Sequence, residues 1–157
     1  MSTIIDGGQP VTWIKGILVI QMFDINDELI SEWNAWDHLD ISQYTNLNLQ
    51  SDAIEWMHGN SIEWVGDNHI LVSNRASNEI LKIDLQSGEV IWHIGGPLNQ
   101  FTFLNDPKQG FRMQHDVRRL ENGNISLFDN GVTHTPPISR ALEYQINEEE
   151  KTAELVW

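Results

Sequence analysis

Two histidine-bearing strand starts carry the groups in this chain that could do chemistry. The first is Trp56-Met57-His58-Gly59-Asn60-Ser61-Ile62, with Arg75 following 17 residues after the histidine. The second is Gln114-His115-Asp116-Val117, running on through Asn122-Gly123 to Leu127-Phe128-Asp129-Asn130-Gly131. Arg75 offers a planar fork of donors that matches an oxyanion. Asn60 offers an amide N–H at no charge cost. His115 carries a ring nitrogen that is neutral and nucleophilic near pH 7, and the adjacent Asp116 is placed either to fix its tautomer or to cap the strand. Each residue alone has an ordinary reading: a hydrogen-bonded structural histidine, a solvated arginine, a turn asparagine. Their conjunction at the mouths of two similar hairpins points to one shared oxyanion site.

The elements that must position these groups read as strands. With Asn60 aligned on His115, an offset of 55, Ile62 meets Val117, Val65 meets Leu120, Ile70 meets Ile125, Val72 meets Leu127 and Asn74 meets Asp129. The turns Asp67-Asn68 and Asn122-Gly123 coincide, and both residue types accept the positive φ of a tight hairpin. Further on, Ile80-Leu81-Lys82-Ile83 matches Ala141-Leu142-Glu143-Tyr144, and each copy closes on a Trp-ended strand, Val90-Ile91-Trp92 and Leu155-Val156-Trp157. The closing hairpin also occurs at Ile17–Ile20 and Leu29–Trp33. Short strands with period-2 alternation, about four per repeat, predict an all-β fold of β-propeller blades. The expected units are a partial blade at 1–40 and full blades at 56–97 and 111–157, forming a single domain. An open sandwich is the alternative. The only stretch that reads as a short helix is Ile41 to Glu55, where Asn and Ser weaken it. Propellers close with about 4–8 blades, so two and a half blades ending on a strand-like Trp157 predict a part of a longer protein.

Composition narrows the partners. The chain has 157 residues, 23 Asp plus Glu against 9 Lys plus Arg, and a net charge of −14. Nucleic acid and anionic membranes demand a basic face, so neither is expected as a partner. No segment is apolar for the ~18 residues of a membrane span, and no export signal is evident. There is no Cys, so disulfides and thiolate metal sites are ruled out. His115-Asp116 with Asp129 fits neither a paired-His helix motif nor a calcium loop, and no metal is expected.

Taken together, Trp56-x-His58-x-Asn60-Ser61-Ile62 with Ser73-x-Arg75, Asp84-x-x-x-Gly88-Glu89-Val90-Ile91-Trp92 with Gly95-Gly96, and Gln114-His115-Asp116 through Asp129-Asn130-Gly131 with Ser139-Arg140 resemble the PAPS-independent aryl-sulfate sulfotransferases. The similarity runs from about Ile17 to Trp157. It implies a six-bladed propeller moving sulfuryl groups from aryl sulfates to phenols without a cofactor. It further implies that the histidine at position 115 carries the group as a sulfohistidine, while His58, Asn60 and Arg75 bind sulfuryl oxygens. That family uses another histidine from an earlier blade; His38 stands near the right order, in a loop unlike that motif. The resemblance also suggests a periplasmic or secreted protein, and a homo-oligomer is left open. The competing class is a non-catalytic propeller binding small anions or a protein partner.

Other residues rank behind these. Phe101 and Phe103, in a loop before the His115 strand, either stack on an aryl ring or enter the core. His134, in Gly131-Val132-Thr133-His134-Thr135-Pro136-Pro137, is a candidate rim residue touching substrate. His69 is expected in a solvated turn and His93 in packing. The seven Trp are expected between blades.

Overall fold

The computed structural model describes residues 13–157; residues 1–12, where the expected partial blade begins, lie outside the described residues. In chain order the elements are β1 (Trp13–Lys15), β2 (Val19–Phe23), β3 (Leu29–Asn34), a single helical turn α1 (Ala35–His38), a 3-10 turn (Ile41–Gln43) and β4 (Ala53–Glu55). Then come β5 (Gly59–Gly66), β6 (His69–Asn74), β7 (Glu79–Asp84), β8 (Val90–Gly95) and β9 (Thr102–Leu104). The last are β10 (His115–Arg119), β11 (Ile125–Asp129), β12 (Arg140–Asn147) and β13 (Thr152–Leu155). The fold is almost entirely β.

Three sheets follow one another as blades. A two-stranded antiparallel hairpin β2-β3 is followed by the antiparallel sheet β5-β6-β7-β8, then by the sheet β10-β11-β12-β13-β9. The first strand of the third sheet, β10, runs alongside the first strand of the second, β5. The middle strand β6 shows why the sheets sit side by side. Its sequence Ile70-Leu71-Val72 is apolar on both faces, as a strand covered on both sides requires. Ile70 and Val72 enter one core with Ile20, Trp33, Tyr44 and Trp56, whereas Leu71 enters the other with Trp92, Val117, Leu127 and Tyr144. Period-2 alternation thus sends successive residues of one strand into two different cores. Each such aliphatic side chain contributes about 1.5–3 kcal/mol through burial.

Three features differ from the sequence reading. The third sheet has a fifth strand: β9, expected in a loop, pairs parallel with β13, Phe103 opposite Ala153. Ile41 to Glu55 forms no helix beyond its first turn. Asp40 and Asn48 instead bind nearby backbone N–H groups of Ser42 and Gln50 through their own side chains, and Ala53–Glu55 joins β1 in a parallel pair. The two hairpin turns also differ. Asp67 and Asn68 both take positive φ, 48° and 61°, in a two-residue turn, but at Asn122-Gly123 only the glycine does, within the longer loop Leu120–Asn124. Trp33, Trp56 and Trp92 are buried between sheets, Trp33 donating its indole N–H to Gly88 O at 3.0 Å; Trp13, Trp36, Trp64 and Trp157 are exposed. No helix among the described residues is long and apolar enough to cross a membrane.

Candidate functional site

His115 opens β10 opposite Phe128. Its Nδ1 lies 2.8 Å from Asn130 Oδ1. An amide oxygen can only accept, so Nδ1 carries the ring proton and the lone pair is on Nε2. The residue holding the tautomer is therefore Asn130, not Asp116. Asp116 takes φ 56° in a bulge of β10 and pairs with Arg118 Nη2 at 2.6 Å on the solvent side. Asn130 is itself fixed. Its carbonyl accepts from Ser139 Oγ at 2.9 Å, and Gly131 beside it sits at φ 59°, where a Cβ would lie 1.7 Å from Ile138 O. Only glycine allows that approach.

The other three residues stand on the second sheet. His58 lies between β4 and β5; its N–H donates to Asn74 Oδ1 at 2.7 Å, and Arg75 N–H donates to His58 O at 2.9 Å. Asn74, at the end of β6, thereby ties the start of β5 to the loop that carries Arg75. His58 Nδ1 is 2.6 Å from Glu55 Oε1. The His58 hydrogen bond holds the Glu55 carboxyl below the usual carboxylate range against a smaller effect of burial, with the charges of His58, Arg75 and Lys15 adding to it. The Arg75 guanidinium reaches Met113 Sδ at 3.8 Å and, among the described residues, forms no ion pair. In a chain where acids outnumber bases 23 to 9, a partly buried arginine that forms no ion pair among the described residues is a ready donor to an anion.

The two sheets are fastened beside Asn60 and the residues flanking His115. Asn60 Nδ2 donates to Gln114 O at 2.7 Å, and Val117 N–H donates to Ser61 Oγ at 3.0 Å. Gln114 is fully buried, and its side-chain amide lies within 3.1 Å of Ser73 Oγ and Asn74 O and 2.9 Å of Glu79 O, all on the second sheet. The residue before His115 is thus anchored in the neighbouring sheet. Gln114→Leu keeps the volume but strips these acceptors of their donor, and should lower stability by about 1–3 kcal/mol. An unshifted urea midpoint would show that the amide fastens nothing.

The arylsulfotransferase (ASST) family profile matches residues 18–157. The chain belongs to this family. No curated protein matches the chain in sequence. The arylsulfotransferase match takes in the β2-β3 hairpin and both larger sheets, and so every residue of the seam just described.

Beyond the seam, the remaining candidates lie in packing and hydrogen-bond contacts. Phe101 and Phe103 are buried: Phe101 packs edge-on to Trp92 at 5.4 Å, and Phe103 packs on Tyr144 at 5.6 Å and Phe111 at 6.0 Å. Of their two readings, the structure places both in the core. His134 is not at a rim. It is buried with Nε2 2.9 Å from Asp129 Oδ2, in a network where Arg140 also binds Asp129 at 2.8 Å and Asp106 at 2.8 Å. Tyr144 OH and Gly110 N–H complete Asp106, at 2.6 and 2.8 Å. This network ties the loop before β10 to the loop between β11 and β12. His38 stacks on Trp33, ring centroids 5.3 Å apart, and lines a cleft of about 750 Å³ with Asp37, Asp40, Glu89 and His93 that shares no residue with the seam. His93 binds the buried Glu79 at 2.7 Å, and His69 begins β6, partly buried. Among the described residues no three His, Asp or Glu side chains converge as a metal cage.

Sequence reasoning gave no role to Gln114, Asn130 or Glu55. Gln114 and Asn130 lay within the quoted motifs, one just before β10 and the other just after β11.

Proposed function

We propose that the protein transfers a sulfuryl group from an aryl sulfate to a phenol through a sulfated His115, without a nucleotide donor. His115 Nε2 attacks sulfur; the N–S bond forms as the S–O(aryl) bond breaks, and its electron pair leaves on the phenolate oxygen. A second phenol then attacks the same sulfur, forming a new S–O bond while the N–S pair returns to Nε2. As in phosphoryl transfer, charge gathers on the peripheral oxygens while nucleophile and leaving group stay roughly in line. Arg75 supplies fixed donors for that charge. Asn60 has one amide N–H committed to Gln114 O and a second left for an oxygen. The observation that carries this reading is His115, its Nδ1 held by Asn130, on a seam with an arginine that forms no ion pair among the described residues.

The test is release of nitrophenolate from 4-nitrophenyl sulfate on addition of a phenol, with no nucleotide present. Arg75→Ala should weaken transition-state stabilisation by about 2–4 kcal/mol, as losing an oxyanion donor does. A kcat/KM within a factor of two of wild type would remove Arg75 from the mechanism. Anion binding without turnover would favour a scaffold.

A further inference from the structure

The transfer leaves one role unfilled: a group that gives a proton to the departing phenolate and takes one from the incoming phenol. We propose that His58, held by Glu55, fills it, and that the adjoining cleft seats the aryl ring; this rests on the transfer reading above. The cleft has a volume of about 340 Å³, within the range of small-molecule sites, and its walls include Ile17, Leu18, Val19 and Met57 with Glu55 and His58. Three apolar residues in a row, Ile17, Leu18 and Val19, beside one imidazole suit a ring whose only polar atom is its oxygen. One wall is preformed: Gly16, at φ 71°, lies so close to Met57 that a Cβ would fall 1.8 Å from Met57 O.

The dyad has the polarity the role needs. Glu55 Oε1 lies 2.6 Å from His58 Nδ1, so the carboxylate accepts the Nδ1 proton and points Nε2 away from itself. Nε2 makes no hydrogen bond within the described structure. The backbone bond from Arg75 N–H to His58 O sets these two residues side by side, and the charges of both act on the Glu55 carboxyl. In the first half-reaction His58 enters carrying a proton on each ring nitrogen, and the Nε2 proton passes to the phenolate oxygen as the S–O bond breaks, leaving the imidazole neutral with its Nδ1 proton still donated to Glu55. In the second, Nε2 takes the acceptor's hydroxyl proton as the new O–S bond forms and the His115 N–S bond breaks. His58 ends as it began. His58 is then the catalytic group, and Glu55 a positioning residue acting through it.

Leaving-group dependence separates this from a structural role. 4-Nitrophenolate departs readily unprotonated, whereas the more basic phenolate of phenyl sulfate needs the proton. Glu55 is half exposed, so Glu55→Gln does not threaten the fold. It should lower kcat/KM about tenfold or more with phenyl sulfate and less than about threefold with 4-nitrophenyl sulfate, with His58→Gln showing a larger gap in the same direction. Ile17→Asp, at a partly exposed position, should raise KM for both donors with little change in kcat. Equal losses on the two donors, or an unchanged KM in Ile17→Asp, overturn the assignment. In either case a sulfuryl adduct on His115 leaves the transfer mechanism standing; absence of that adduct in the wild type defeats the mechanism and this assignment together.

Discussion

His115→Ala should abolish transfer while leaving the fold intact. The side chain is partly buried and its one hydrogen bond is to Asn130, so its loss removes no core contact. The chemical loss is far larger. With no imidazole there is no covalent carrier, and the remaining donors can only orient donor and acceptor for direct attack. Removing a covalent nucleophile from an assembled site costs about 10⁴-fold or more. Nitrophenolate release should fall to background, and protein quenched with donor alone should lose the sulfuryl mass on the peptide containing residue 115. Wild-type turnover in His115→Ala would end the sulfohistidine reading, as would an adduct found on another residue.

Arg140→Met should cost the most stability of any single change in the third sheet. Arg140 bridges two fully buried carboxylates, Asp106 and Asp129, while exposing only 14% of its side chain. Removing the cation leaves two buried charges facing one another, and breaking such a pair costs about 3–5 kcal/mol. The loss has a defined pH dependence. Burial pushes the Asp106 carboxyl up, but hydrogen bonds from Arg140, Tyr144 and the N–H groups of Lys108 and Gly110 hold it below its ordinary value. A carboxyl depressed in the folded state stabilises above its unfolded pKa, about 3.9, and that contribution fades as pH falls through the lower folded value. Without Arg140 the largest of the contacts holding it down is gone and the carboxyl rises. The gap in urea midpoint between wild type and Arg140→Met should therefore be widest near neutrality and narrow in acid. A gap that is constant with pH would show that the carboxylates are not what Arg140 stabilises.

The strands were legible because they obey local rules. Ile70-Leu71-Val72 is apolar without interruption, Asp67-Asn68 tolerates left-handed backbone, and the repeated apolar positions of β5-β6 and β10-β11 recur at the same spacing. What escaped depends on partners distant in sequence. Thr102–Leu104 is too short to declare itself a strand until β13 supplies the edge it joins. His134 lies in a polar, proline-containing loop that reads as exposed; it is buried because Asp129 offers it a carboxylate inside. Asp116 was the natural neighbour for His115 by sequence, but a bulge turns it outward and leaves the task to Asn130, across the hairpin. For Phe101 and Phe103 the sequence allowed ring stacking or burial equally, and packing density decided.

Gln114 and His115 are adjacent in the chain yet belong to different bodies. Gln114 is pinned by its side chain to the second sheet, and His115 by Asn130 to the third. On the proposed mechanism the site is an intramolecular counterpart of an active site shared between subunits: one repeat brings the imidazole, the other the guanidinium and the amide. Copying one repeat would copy half a catalyst. On that mechanism a change at Asn60 or Arg75 in one repeat alters the surroundings of the His115 imidazole carried by the other.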